Sequence, residues 1–280
     1  MSWLTDPFTS YAFFGRAMLV LVLAGGVCGA LGAFVVVRRM SYIAHGLSHA
    51  VIGGVAVAAV LRINLLLGAA AWAFLSALLI DRVARRRGLY PDTAIGIVTT
   101  TSFALGIAII SSVREVRLNL ESFLFGSVLG VTEPDLVLAA AVTAVVAAVL
   151  VVRYRPLLFT TFDPEVAIAH GVPGGRYQTL FALLLTGGIV ASMRVLGVLL
   201  VAAAVVIPPA TARLLTDRFD RLLPLAAALG AGSALPGMYL SWYLDLPSGP
   251  AVVLVQATGL ALAGLWTAAR ERLAGVRSPA

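Results

Sequence analysis

Runs of about 20 apolar residues, the length a helix needs to cross the hydrocarbon core of a bilayer, recur along almost the whole of this chain. They fall at 14–37, 43–61, 63–80, 94–112, 135–152, 178–193, 195–212, 222–243 and 250–267. In lipid every backbone N–H and C=O must be satisfied internally, so repeated runs of this length fold as an all-α, polytopic transmembrane bundle. The run at 178–193 is the weakest of the nine, because Thr186, Gly187, Gly188 and Ser192 dilute it and Arg194 follows at once. It is expected to be a bent or partial span, which sets the count at eight to nine.

Composition leaves no room for a separate water-soluble domain. Of the 280 residues, 60% are hydrophobic and only 12% charged, too few to cover a solvated surface. The net charge of +7 does not mark a nucleic-acid face, because the arginines sit in short clusters between apolar runs. Their placement instead gives the topology, since cytoplasmic connections hold the excess of positive charge. With the N-terminus outside, the inner connections hold Arg38 and Arg39; Arg82 and Arg85 to Arg87; Arg153, Arg155 and Arg176; Arg213, Arg218 and Arg221; and Arg270, Arg272 and Arg277. The outside keeps Arg62, Arg114, Arg117 and Arg194, with Arg16 near the outer end of the first span. Met1 to Arg16 lacks the basic start of a removable signal, so the first run is expected to be a permanent span. Cys28, the sole cysteine, lies inside that run and reads as a small packing residue.

Two connections exceed simple turns. The inner one, 153–177, contains Asp163-Pro164-Glu165, an acid-proline-acid helix start, and ends at Gly171-Val172-Pro173-Gly174-Gly175. It predicts one short cytoplasmic helix. The outer one, 114–134, carries Leu118, Leu120, Phe123, Leu124 and Phe125 among polar residues, which suits an interfacial helix or a buried loop. There is no GxxxxGK[ST] phosphate loop, so any nucleotide chemistry must come from a partner.

The chemistry-bearing residues are few. His45 and His49 stand four apart, so on a helix they share a face about 6 Å apart. Two imidazoles at that spacing can reach one zinc ion, with contacts of about 2.0–2.1 Å. Gly46, Ala50, Gly54 and Ala58 form a small-residue stripe beside them that lets another helix approach closely, which favours a histidine face turned toward the bundle. The plainer alternative is a pair of solvated or backbone-bonded histidines near an interface, set against the cost of ionisable groups within spans. His170 reads as a surface residue, Asp81 and Asp92 as neutralising the arginine cluster between them, and Glu115, Glu121, Glu133 and Asp135 as solvated outer loop acids. Asp245 is expected to cap an outer helix end. No Ser/His/Asp order and no HExxH stands out, and no general base accompanies the histidines, so no catalytic residue is assigned and the chain is expected not to be an enzyme.

Arg38-Arg39-Met40-Ser41 running into Leu47-Ser48-His49-Ala50-Val51 resembles the second-helix motif of the metal-type ABC importer permeases, which take up zinc or manganese. The resemblance continues through Phe162-Asp163-Pro164-Glu165 to Gly171-Val172-Pro173, Gly197 to Val201, Ile207-Pro208-Pro209-Ala210-Thr211-Ala212 and Tyr243 to Pro250, in the family's order and over nearly the whole chain. It implies a type II (metal- or vitamin-uptake-like) permease fold, with residues 1–280 as one transmembrane domain in the bacterial inner membrane. It also implies a homodimer, a cytoplasmic ATP-binding subunit seated on a coupling helix at about 162–173, with Asp163, Pro164, Glu165 and Gly171 as coupling residues, and an extracytoplasmic metal-binding protein. No cofactor would be held permanently; the divalent metal is the cargo. The family's metal-path pair is typically an aspartate followed four residues later by a histidine. His49 matches the histidine, and His45 stands where the aspartate is expected. Imidazole suits zinc, whereas carboxylate and water suit manganese, so zinc is expected over manganese. Hydropathy puts the pair near the inner end of its helix, while the resemblance implies a deeper site. The rival readings are a proton-coupled secondary metal transporter, with the histidines as proton carriers, and an intramembrane metalloenzyme.

Overall fold

The computed structural model describes residues 11–84, 90–112 and 120–273, and all its regular structure there is helical. The helices are α1 (Ala12–Val37), α2 (Ser41–Val60), α3 (Leu65–Ala84), α4 (Pro91–Ser112), α5 (Leu120–Phe125), α6 (Glu133–Val152), α7 (Tyr154–Phe162), α8 (Pro164–Ala169), α9 (Gly174–Leu196), α10 (Val201–Leu215), α11 (Phe219–Gly232), α12 (Ala234–Leu244) and α13 (Ser248–Leu273). Eight helical stretches are long and apolar enough to cross a membrane, α11 and α12 together making one of them.

The expected weak span is a correction. Residues 178–193 lie within α9, an unbroken helix of 23 residues, because its glycines and threonine face other helices rather than lipid: Thr186 and Gly188 are buried. The short element is the next run, 195–212, whose helix begins only at Val201 and has 15 residues. At 1.5 Å per residue that is about 22 Å, less than the ~30 Å hydrocarbon core. The helix packs against α1, α11 and α13.

The missing depth is made up by non-helical backbone at 197–200, tolerated because protein surrounds it. Val198 N donates to Phe123 O (3.1 Å) and Leu199 N to Leu124 O (3.2 Å), so the end of α5 pairs with this loop. Ser127 N donates to Arg194 O (3.0 Å), and Ser248 Oγ donates to Val195 O (2.6 Å). Gly126 and Gly197 both take φ of +81°, and a Cβ on either would strike the other strand of the crossing, while one on Gly249 would meet the carbonyls of Leu196 and Phe125. The outer connection thus combines a short helix, α5, with a segment in which Gly126, Val128 and Val131 are buried while Leu129 and Gly130 are exposed; Leu118, Arg114, Glu115 and Arg117 lie outside the described residues.

The core surrounds α1, which runs against α6, α9, α10 and α11. Gly25 and Gly29 of α1 lie so close to α11 that a Cβ on either would strike the carbonyls of Gly230 or Ala226, the close approach that small residues permit between membrane helices. Gly32 does the same against Val205 O of α10, a carbonyl that Pro209, four residues on, cannot bond. Helices α2, α3 and α4 pack on one another as a neighbouring group. On the inner side the connection forms two helices instead of the one expected: α7 continues from the end of α6 past Arg153, and Asp163 then caps α8 by accepting from Val166 N (2.9 Å).

Candidate functional site

Helix α2 carries the histidine pair near its inner end. Counting from Ser41, His45 lies about 6 Å and His49 about 12 Å along the axis of this 20-residue helix, so the pair spans from its first turn toward its middle. Their rings sit with centroids 4.3 Å apart at 45°. His49 Nδ1 lies 3.0 Å from His45 O; a carbonyl only accepts, so Nδ1 carries the proton and Nε2 keeps its lone pair for a ligand. The His45 ring is flanked by Tyr42 at 5.9 Å, and His49 by Phe103 of α4 at 5.8 Å.

The face is open only on the inner side. Tyr42 and His45 are exposed and His49 is half-buried, whereas every residue from Ala50 to Ala56 is buried. In a single chain the pair thus looks out of the bundle rather than into it, which differs from the expected inward-facing placement. The stripe beside it accounts for this. A Cβ on Gly46 would clash with Ile95 and Thr99 of α4, and one on Gly54 with Gly68 and Trp72 of α3, and Ala50 and Ala58 are fully buried. The stripe consumes the face that meets neighbours, and the histidines, about 100° round the helix, are left outside it. Among the described residues no group of three His, Cys, Asp or Glu could hold a metal. Two imidazoles from one chain supply half of a tetrahedral set, and water or a second copy must supply the rest.

The residues proposed for coupling cluster at the inner face. Glu165 and Asp163 are exposed, Val166 and Ile168 of α8 are exposed apolar groups, and Gly171 terminates the turn with φ +75° in open space. His170 is exposed, with Nδ1 bonded to Val166 O at 2.9 Å.

Other assignments change. Asp135 is not a solvated loop acid: it is 5% exposed, accepts from Thr132 in a capping box, and takes two hydrogen bonds from Arg194 Nη1, at 2.7 and 2.9 Å. That pair ties the outer end of α9 to α6. Glu133 pairs with Arg16 at 3.4 Å. Asp81 accepts from Thr179 of α9 at 2.7 Å, while Arg85 to Arg87 lie outside the described residues. Asp245 stands at the C-cap of α12 in a left-handed conformation, and Cys28 is buried with Sγ 3.5 Å from Ser192 Oγ. Sequence reasoning read Arg38 as a topology signal and as part of the motif before α2, yet its Nε donates to Thr161 Oγ1 of α7 (3.0 Å) and its guanidinium lies 4.4 Å over Phe181. No local pattern announces that contact, because its partners are 123 and 143 residues away.

Comparison with known proteins agrees with this architecture. The chain is 38% identical to the Manganese transport system membrane protein MntC of Halalkalibacterium halodurans, over 94% of this chain and 90% of that one. It is 36% identical to the Chelated iron transport system membrane protein YfeC of Yersinia pestis, over 90% and 85%. Its fold matches a chain of PsaBC from Streptococcus pneumoniae, solved in complex with Fab, with a TM-score of 0.82, 30% identity and coverage of 93% and 94%. The model of the ABC 3 transport family matches residues 10–268. With the type II permease fold and these relatives, the chain belongs to the ABC 3 transport family, as a multi-pass, non-catalytic permease subunit of the bacterial inner membrane.

Proposed function

We propose that the chain is the membrane half of an ATP-driven importer of divalent transition-metal ions, with His45 and His49 as donors on the ion path. The observation that carries this reading is the pair itself: two imidazoles with centroids 4.3 Å apart on one helix face, one of them with its Nδ1 bonded to a carbonyl so that Nε2 keeps its lone pair free. Two copies, related by a twofold axis past α2, would bring four such nitrogens to one ion. An ATPase subunit on each α8 would drive the alternation, and an external binding protein would load the outer mouth. The relatives' names, one for manganese and one for chelated iron, support a transition-metal cargo; the all-imidazole donor set supports zinc ahead of manganese.

Replacing His49 with alanine should abolish metal uptake into proteoliposomes holding the permease, its ATPase and its binding protein, with assembly intact. Uptake at the unaltered rate would remove the site assignment. Competition of zinc against manganese in the same vesicles tests the preference, and manganese outcompeting zinc would favour the reading that the MntC relative suggests.

A further inference from the structure

Arg38 is an arginine at the end of a membrane span that does not reach solvent freely. Its Nη2 is buried without a hydrogen-bond partner, and among the described residues no carboxylate pairs with it. Burial pushes its pKa down to about 10, so it stays charged at neutral pH. A buried cation without a counter-ion is costly, and here two contacts hold it: the Phe181 face, 4.4 Å from its guanidinium carbon, and Thr161 Oγ1, which accepts from Nε at 3.0 Å while donating its own proton to Leu157 O at 2.6 Å.

Both ends of that hydrogen bond matter. Thr161 lies in the last turn of α7, two residues before Asp163, the cap of α8. Arg38 lies three residues before Ser41, where α2 and its histidines begin. The turn between is stiff: Arg39 takes φ 56°, Arg39 N donates to Val36 O (3.1 Å), Met40 N to Val35 O (3.0 Å) and Ile43 N to Met40 O (3.0 Å). A cavity of about 330 Å³, lined by Arg38, Thr160, Thr161, Ile168 and Gln178 among others, lies beside the contact, between it and α8.

We propose that the Arg38–Thr161 contact is the strut through which displacement of α8 reaches the metal-bearing helix α2. Arg38 is a positioning residue, touching no cargo. The inference rests on the coupling role given to α8 and the cargo role given to His49. A guanidinium suits the task because one planar group stacks on α9 and donates sideways to α7 at once.

The test is manganese uptake per ATP hydrolysed, in proteoliposomes holding the whole complex. Thr161→Val, which keeps size and loses the acceptor, should hydrolyse ATP at close to the unaltered rate but take up roughly tenfold less metal per ATP, the scale of losing a charge-assisted hydrogen bond. Thr161→Ser should restore the ratio. Arg38→Lys, which keeps charge and loses the fork, should uncouple to a similar degree, and combining it with Thr161→Val should add little. If Thr161→Val does not assemble with the ATPase, Arg38→Lys carries the same expectation alone. An unaltered ratio in Thr161→Val or Arg38→Lys, or additive losses in the double variant, would overturn the strut. Those results leave the site reading standing, whereas full uptake by His49→Ala would remove that reading first.

Discussion

In the proposed ion path, an imidazole at position 45, where the family resemblance implies a carboxylate, would leave out a negative charge and a hard oxygen beside His49, whose proton is held on Nδ1. His45→Asp should therefore move preference toward manganese, changing the zinc-to-manganese uptake ratio about tenfold, or ~1.4 kcal/mol; an unchanged ratio in competition assays would show that position 45 does not set selectivity. The pair was legible in the sequence because helical spacing alone puts residues four apart on one face. Its surroundings were not. That the histidine face opens outward follows from which side of α2 the stripe of Gly46 and Gly54 spends on α3 and α4, and a small-residue stripe does not say how many neighbours it serves. The Asp135–Arg194 pair was hidden for a related reason: the partners lie 59 residues apart, and an acid beside a proline in an outer loop reads the same whether solvated or buried.

The spans themselves could be read because crossing lipid demands an apolar length that little else in a sequence requires. The break in the run at 195–212 could not, since Val198, Leu199 and Leu200 are as apolar as any helix and only Gly197 hints at a turn. What stops the helix there is distant: the carbonyls of Phe123 and Leu124 offer the loop partners that replace helical ones. Two glycines test this difference. Gly197→Ala forces a side chain into a left-handed backbone and against Leu124 O, and should cost about 2 kcal/mol or more, seen as a lower unfolding midpoint in detergent. Gly171 has the same backbone sign but open space around it, so Gly171→Ala should cost only about 1 kcal/mol. Glu165→Ala combined with Gly171→Ala should separate ATP hydrolysis from metal uptake; ATPase binding and uptake both unaltered would count against α8 as the coupling element.

For the whole molecule, the energy source divides the leading reading from its rival. Uptake should stop when ATP is withheld and persist when a protonophore collapses the pH gradient; the reverse pattern would reassign the histidines as proton carriers. The outer crossing of α5, the 197–200 loop and the start of α13 bears on how the chain is made. Ser248, which satisfies the carbonyl of Val195, follows it by 53 residues, so the ribosome releases one long before the other. During that interval the loop has its bonds to α5 and the apolar neighbours of Val198 on α2, α3 and α9, but the Val195 carbonyl lacks its Ser248 partner. The last helix is thus a clasp as well as a span, and nascent chains that end before it are expected to be cleared by membrane proteases rather than stored.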